Sequence, residues 1–108
     1  MTEVFEELYQ TVLSRKSTNE EGSYTCYLFE KGIDKILKKC GEECTEMVIA
    51  AKNADNDELK NEIADLLYHI MVMCVERGLE WKEVDEILAQ RSSKTGNLKT
   101  FHQVDKNT

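Results

Sequence analysis

Two consecutive segments with helical hydrophobic periodicity constrain this sequence more than any other feature. In residues 33–52 the apolar side chains recur at intervals of three and four, which places them on one face of an α-helix. That stripe comprises Ile33, Ile36, Leu37, Cys40, Cys44, Met47, Val48 and Ala51. Residues 59–75 carry two such stripes, Leu59/Ile63/Leu66/Ile70 and Ala64/Tyr68/Met71/Val75. A helix that is apolar on two sides packs on two sides, so we expect a second copy of the chain to complete the core.

Three shorter segments complete an expected all-α bundle of four to five helices. Together with the two long segments, the predicted helices span 3–15, 24–30, 33–52, 59–75 and a segment beginning at 81. Ser23 is a candidate N-cap, and Gly32 and Gly78 are candidate helix ends. The chain contains no proline and much Glu, Lys, Leu and Ala, which favours helices over a sandwich or barrel. We assign residues 1–91 to the helical domain and 92–108 to a polar tail.

Charge and cysteine content exclude several classes of protein. A net charge of −7 argues against nucleic-acid binding, which needs a basic face. We expect no membrane segment, because no apolar run approaches the ~20 residues that span a bilayer. The acidic N-terminus does not resemble a signal peptide. The four cysteines form no CxxC pair, which favours reduced, buried thiols in a cytoplasmic protein over a zinc site.

Acidic residues flank the apolar stripes of both long helices. On an ideal helix Glu43 and Glu46 lie about 60° apart along one edge of the first stripe. Glu62 and Asp65 share one sector of the next helix with His69. If the two helices pack antiparallel, both acidic edges line one groove and four carboxylates converge.

Such a convergence calls for a cation, because neighbouring carboxylates repel and are costly to bury. Oxygen ligands without thiolate or paired histidines select Mg²⁺, with Mn²⁺ as the alternative, rather than zinc. Magnesium also recruits substrate phosphates, which suits a nucleotide. The competing interpretation is that these acids belong to solvated helix faces.

Longer motifs around the acids are similar to those of a known superfamily. GEECTEMVIAAKN (41–53) and NEIADLLYHIMVMCVERGL (61–79) resemble the ExxE…ExxD signature of the all-α, MazG-like NTP pyrophosphohydrolases. Within it, SYTCYLFEKGIDKILKKCGEE (23–43) resembles the phosphoribosyl-ATP pyrophosphohydrolase family. The similarity extends over about residues 3–91.

The resemblance implies a nucleotide-binding hydrolase of histidine biosynthesis. Its reaction is hydrolysis of 1-(5-phosphoribosyl)-ATP to 1-(5-phosphoribosyl)-AMP and pyrophosphate, with Mg²⁺ required. Water attacks at the α–β phosphoanhydride. It also implies a homodimer or larger homo-oligomer. By motif position, Glu43, Glu46, Glu62 and Asp65 correspond to the metal-binding catalytic acids.

Five residues are candidates for contacts with the substrate. Lys39 lies on the same helix edge as Glu43, although a salt bridge to Glu43 explains it equally well. Lys31 can reach a ribose phosphate, and Ser23 and Tyr24 lie near a helix N-terminus that favours phosphate. Helix capping and core packing are the alternative roles of Ser23 and Tyr24. Arg91 is a candidate for closing over the substrate.

Three alternatives stay open from the sequence. A general MazG-like pyrophosphatase for dNTPs shares the metal site and differs in the contacts to base and ribose. A ferritin-like di-iron bundle requires ExxH motifs, and neither His69 nor His102 follows a Glu by three residues. A purely structural helical domain leaves the aligned acids unexplained.

Overall fold

The computed structural model describes residues 2–93, and every regular element in that range is an α-helix. The five helices are α1 (Thr2–Lys16), α2 (Tyr24–Lys31), α3 (Ile33–Lys52), α4 (Asn56–Arg77) and α5 (Trp81–Ser92). The two longest, α3 and α4, are separated by three residues and form the most extensive helix contact. A connection this short makes them an antiparallel hairpin. The predicted all-α bundle is therefore confirmed.

Local sequence signals explain where the helices begin and end. Ser23 caps α2 by accepting a hydrogen bond from the Cys26 N–H, and Asp55 caps α4 by accepting one from Glu58 N–H. Gly78 ends α4 in the left-handed conformation at φ 73°. Gly32 separates α2 from α3 at φ 93° and ψ −175°, a conformation that is essentially restricted to glycine. This glycine lets the chain turn sharply and lay α2 against α3.

The core lies where α1, α2, the first turns of α3 and the C-terminal half of α4 meet. Its fully buried side chains are Val12, Leu28, Ile36, Met71 and Val72. Tyr9 is buried beside them, and its hydroxyl donates a hydrogen bond to the Leu79 carbonyl at 3.1 Å. Trp81 packs against Phe5, with ring centroids 5.4 Å apart, and so attaches α5 to α1.

The orientation of α3 differs from the sequence-based expectation. The whole apolar stripe was expected to face the core, but the buried line of α3 runs through Ile36, Glu43 and Ala50. Leu37 and Val48, both members of the stripe, are exposed, and Val48 is 57% exposed. Cys44 is exposed as well, which corrects the expectation of four buried thiols. Part of the stripe is therefore directed away from the chain's own core.

The structure also bears on the expectations about membrane segments and the domain boundary. No helix among residues 2–93 combines the length and apolar character needed to cross a membrane. The last helix continues to Ser92, one residue past the predicted domain boundary. Residues 94–108 of the predicted tail, among them His102, lie outside the described residues.

Candidate active site

The hairpin of α3 and α4 brings acids from both helices into one cluster. Glu43, Glu62 and Asp65 each place a carboxylate oxygen within 4.8 Å of the other two. Glu46 lies one turn along α3 from Glu43, and its carboxyl is a hydrogen-bonding neighbour of both Glu43 and Glu62. The four acids singled out from the sequence thus share one side of the hairpin.

Two members of the cluster are buried, which makes their negative charge costly. Glu43 is 7% exposed and Glu62 is similarly buried, whereas Glu46 and Asp65 are exposed. Burial, a hydrogen bond that the protonated Glu62 carboxyl donates to Glu46, and the neighbouring negative charges raise the pKa of Glu62 from 4.5 to about 7. Burial and the charge of Glu46 raise the pKa of Glu43 as well. Each carboxyl therefore holds a proton more firmly than a free glutamate does.

Only one cationic side chain is paired with these acids among the described residues. The Lys39 ammonium lies 3.3 Å from Glu42 Oε1 and 3.7 Å from Glu43 Oε1. Although burial opposes it, the carboxylate of Glu42 raises the pKa of Lys39. The second oxygen of Glu43 is buried without a hydrogen-bond partner. A buried oxygen of this kind is rare in proteins and marks a place where a further ligand is needed.

The donor set fits a hard divalent cation. All the convergent ligand atoms are carboxylate oxygens, drawn from two helices, and one buried oxygen has no protein donor. Burial, together with mutual repulsion, raises the pKa values of Glu43 and Glu62, and a divalent ion bound here would offset both costs. Oxygen-only coordination favours Mg²⁺ or Mn²⁺ over Zn²⁺.

A hydrogen-bond chain connects the cluster to α2. His69 is buried one turn after Asp65, and its Nδ1 donates to the Asp65 carbonyl at 2.7 Å. The other ring nitrogen, Nε2, then accepts a hydrogen bond from the Tyr24 hydroxyl at 3.0 Å. The sequence placed His69 on the acidic sector of α4 but gave no sign of its contact with Tyr24, which is 45 residues away.

The substrate-contact candidates occupy different surroundings. Lys39 and Tyr24 lie beside the acidic cluster. The charges of Lys39 and Glu43 are both close enough to the Tyr24 hydroxyl to affect its pKa. Ser23 is the cap of α2, and Lys31 lies over the Tyr27 ring. Arg91 is exposed in the last turn of α5, a helix that packs mainly against α1. The described contacts thus bring two of the five candidates next to the acids.

Fold and site together define an all-α protein with a carboxylate-lined groove between the helices of a hairpin. A family model described as "Phosphoribosyl-ATP pyrophosphohydrolase" matches residues 5–92, which is most of the chain. The chain belongs to this family.

Individual relatives agree with the family match. The chain is 53% identical to the phosphoribosyl-ATP pyrophosphatase of Streptococcus sanguinis over 94% of its own length and 98% of the relative. It is 54% identical to that of Lactiplantibacillus plantarum, over 87% and 89% of the two chains. A third relative is the histidine biosynthesis bifunctional protein HisIE of Caldanaerobacter subterraneus, 51% identical over 85% of this chain and 45% of the relative.

Proposed function

We propose that this protein hydrolyses 1-(5-phosphoribosyl)-ATP to 1-(5-phosphoribosyl)-AMP and pyrophosphate in histidine biosynthesis. Water attacks at the α–β phosphoanhydride of the triphosphate. The observation that carries the proposal is the convergence of Glu43, Glu62 and Asp65 oxygens within 4.8 Å in a chain of this family. A purely structural domain has no use for a buried carboxylate oxygen that lacks a donor, as Glu43 has.

Four acids are suited to hold Mg²⁺, with Mn²⁺ as the alternative ion. Glu43 and Glu46 supply oxygens from α3, and Glu62 and Asp65 supply them from α4. When bound, the ion supplies Lewis-acid chemistry: it lowers the pKa of a coordinated water and neutralises charge on the leaving pyrophosphate. The hairpin contributes rigidity, because ligands on packed helices keep their spacing.

We assign proton acceptance to Glu46 rather than to Glu42. Glu46 is exposed and, with Glu62, lines a groove that continues past Asn53 and Asp55. The Glu42 carboxylate is paired with the Lys39 ammonium at 3.3 Å and is therefore already engaged. An attacking water in this groove can therefore pass its proton to the Glu46 carboxylate. The reaction needs little more than positioning and charge neutralisation from the protein.

Cationic and hydroxyl groups beside the acids bind the substrate in this proposal. Lys39 contacts the triphosphate, Lys31 the phosphate of the added ribose, and Tyr24 the phosphates beside α2. Ser23 contributes through the N-terminus of α2 while its hydroxyl keeps the cap. Arg91 closes over the substrate only if α5 moves toward α3.

A second copy of the chain covers the exposed apolar residues of the hairpin. Leu37, Val48 and Ile49 on α3 and Ile63 on α4 are large, apolar and exposed. Several such side chains on one pair of helices are typical of a subunit interface. We therefore propose a homodimer or larger homo-oligomer. The free thiols of all four cysteines support a cytoplasmic location.

The direct test is pyrophosphate release from phosphoribosyl-ATP, with excess Mg²⁺ and with EDTA. We expect turnover only with the divalent ion, and much slower release from ATP or dNTPs. E46A is expected to lower kcat by about 100-fold or more. D34A, which also removes an exposed acid from α3, is the matched control and keeps wild-type turnover.

The outcomes separate the competing functions. Preferred cleavage of dNTPs over phosphoribosyl-ATP would identify a general nucleotide pyrophosphatase instead. Iron in the purified protein would support a di-iron bundle. Unchanged turnover in folded E46A would remove Glu46 from the reaction.

A further inference from the structure

A row of aromatic rings leads away from the acidic cluster along α2. The His69 and Tyr24 rings lie 5.8 Å apart, and the Tyr24 and Tyr27 rings are stacked with centroids 6.1 Å apart and planes inclined by 25°. The Tyr24 hydroxyl bond to His69 Nε2 fixes the middle ring. Tyr27, at the outer end, is 41% exposed. An exposed, oriented aromatic ring therefore stands one helical turn from the catalytic groove.

A cation accompanies the outermost ring. The Lys31 ammonium lies 5.7 Å from the centroid of the Tyr27 ring. Lys31 and Tyr27 are four residues apart on α2, so the helix itself holds the two side chains together. The exposed end of the row thus combines a flat aromatic face with a positive charge, whereas its inner end adjoins Lys39 and Glu43.

We infer that Tyr27 is the specificity-determining residue that stacks on the purine of the substrate, with Lys31 binding the 5′-phosphate of the ribose attached to it. The inference rests on the proposed hydrolysis of phosphoribosyl-ATP. It adds Tyr27, which recognises the base rather than the phosphates. With the purine on Tyr27, the triphosphate extends over Tyr24 toward Lys39 and the acids.

The chemistry of the substrate suits this pair of side chains. The purine is a flat ring that stacks on the face of a tyrosine, and Lys31 leaves that face to pair with the phosphate of the N1-linked ribose. The second ribose carries a phosphate that ATP lacks, and Lys31 supplies a charge for it. Both contacts distinguish phosphoribosyl-ATP from ordinary nucleotides, which lack the N1 substituent.

The test compares steady-state kinetics of Tyr27 variants. We expect Y27A to raise KM for phosphoribosyl-ATP about tenfold, the scale of one lost base–aromatic stack, with kcat within about twofold of wild type. Y27F keeps the ring and stays near wild type. Y27L, apolar but without a ring, repeats the test if Y27A does not fold. Calorimetry in EDTA should show the same weakening for phosphoribosyl-AMP, which isolates the base and ribose contacts from the metal.

A matched pair of lysines provides the control. Lys16 lies 5.7 Å from the centroid of the Phe29 ring, the same distance as Lys31 from the Tyr27 ring. We expect K31M to raise KM for phosphoribosyl-ATP and K16M to leave it unchanged. A folded Y27A or Y27L enzyme with wild-type KM would overturn the inference. Wild-type protein that releases no pyrophosphate from phosphoribosyl-ATP would instead refute the proposed function.

Discussion

Glu43 is a carboxylate in a position where its charge is poorly compensated. It is 7% exposed, and its nearest cation, Lys39, is 3.7 Å away and shared with Glu42. Removing a carboxylate from water costs several kcal/mol unless a partner offsets the loss. The same residue continues the buried line of α3 from Ile36 to Ala50. Its burial therefore comes from helix packing, and either a proton or a bound cation compensates its charge.

The raised pKa of Glu62 predicts how the metal-free protein responds to pH. Because the folded state binds this proton more tightly than the unfolded chain, its contribution to stability is complete below pH 4.5. That contribution is lost as the pH rises toward 7. In EDTA, E62Q should therefore melt a few degrees above wild type at pH 8 and at nearly the same temperature at pH 4.5. Calorimetry or circular dichroism measures both.

The control for this experiment is E86Q, which changes an exposed acid on α5. Its melting temperature relative to wild type should be nearly the same at both pH values. Saturating Mg²⁺ should make wild type melt at a higher temperature than E62Q at pH 8, because wild type binds the ion and E62Q lacks a ligand. A pH-independent effect of E62Q would show that Glu62 titrates normally in the folded protein.

Single residues differ in how far the sequence predicted their surroundings. The four acids were identified because their spacing along two amphipathic helices put them on neighbouring edges. The contact of His69 with Tyr24 was not predicted, because it joins α4 to α2 and depends on how the helices pack. Tyr27 was likewise overlooked, since an exposed tyrosine has no distinctive sequence pattern.

At the level of helices, boundaries were easier to predict than orientation. The bounds of α3 match the predicted 33–52 because Gly32 and Asn53 interrupt a regular pattern. The predicted orientation of α3 was wrong because periodicity identifies an apolar face without showing what covers it. Leu37 and Val48 of the stripe are exposed, while the buried line runs from Ile36, also in the stripe, through Glu43. An apolar face against a partner and one against the chain's own core look alike in a sequence.

Two of the glycines between helices, Gly78 and Gly32, should respond differently to the same substitution. Gly78 has a left-handed conformation that asparagine adopts readily, so we expect G78N to cost less than ~1 kcal/mol of unfolding free energy. The backbone of Gly32 lies outside that region, and G32N should cost ~1–3 kcal/mol. Urea unfolding of the two variants measures the difference. Equal stabilities would show that the α2–α3 turn is not conformationally restricted.

G32N also tests how α2 is positioned relative to the acids. A change in this turn displaces Tyr24 and Tyr27 from α3 and α4, so KM for phosphoribosyl-ATP should rise in G32N and not in G78N. If both variants keep the wild-type KM, the geometry of the turn does not govern substrate binding.

At the scale of the whole molecule, the exposed apolar residues of the hairpin predict self-association. V48E should shift the mass measured by light scattering toward that of a single chain, because a buried charge without a partner is costly at an interface. I87E is the control, since Ile87 is 49% exposed on α5 and Val48 is 57% exposed on α3. Wild-type protein that is monomeric at micromolar concentration would refute the proposed assembly.

The central claim is that acids from α3 and α4 hold one divalent ion together, and calorimetric titration with Mg²⁺ tests it most directly. E43Q on α3 and D65N on α4 should each weaken binding by about 100-fold or more, since even indirect contacts to a metal contribute 10–100-fold. The E43Q/D65N double variant should be little worse than either single variant, because both residues act at one site. Wild-type affinity in either folded single variant, or losses that add fully in the double variant, would contradict a shared ion.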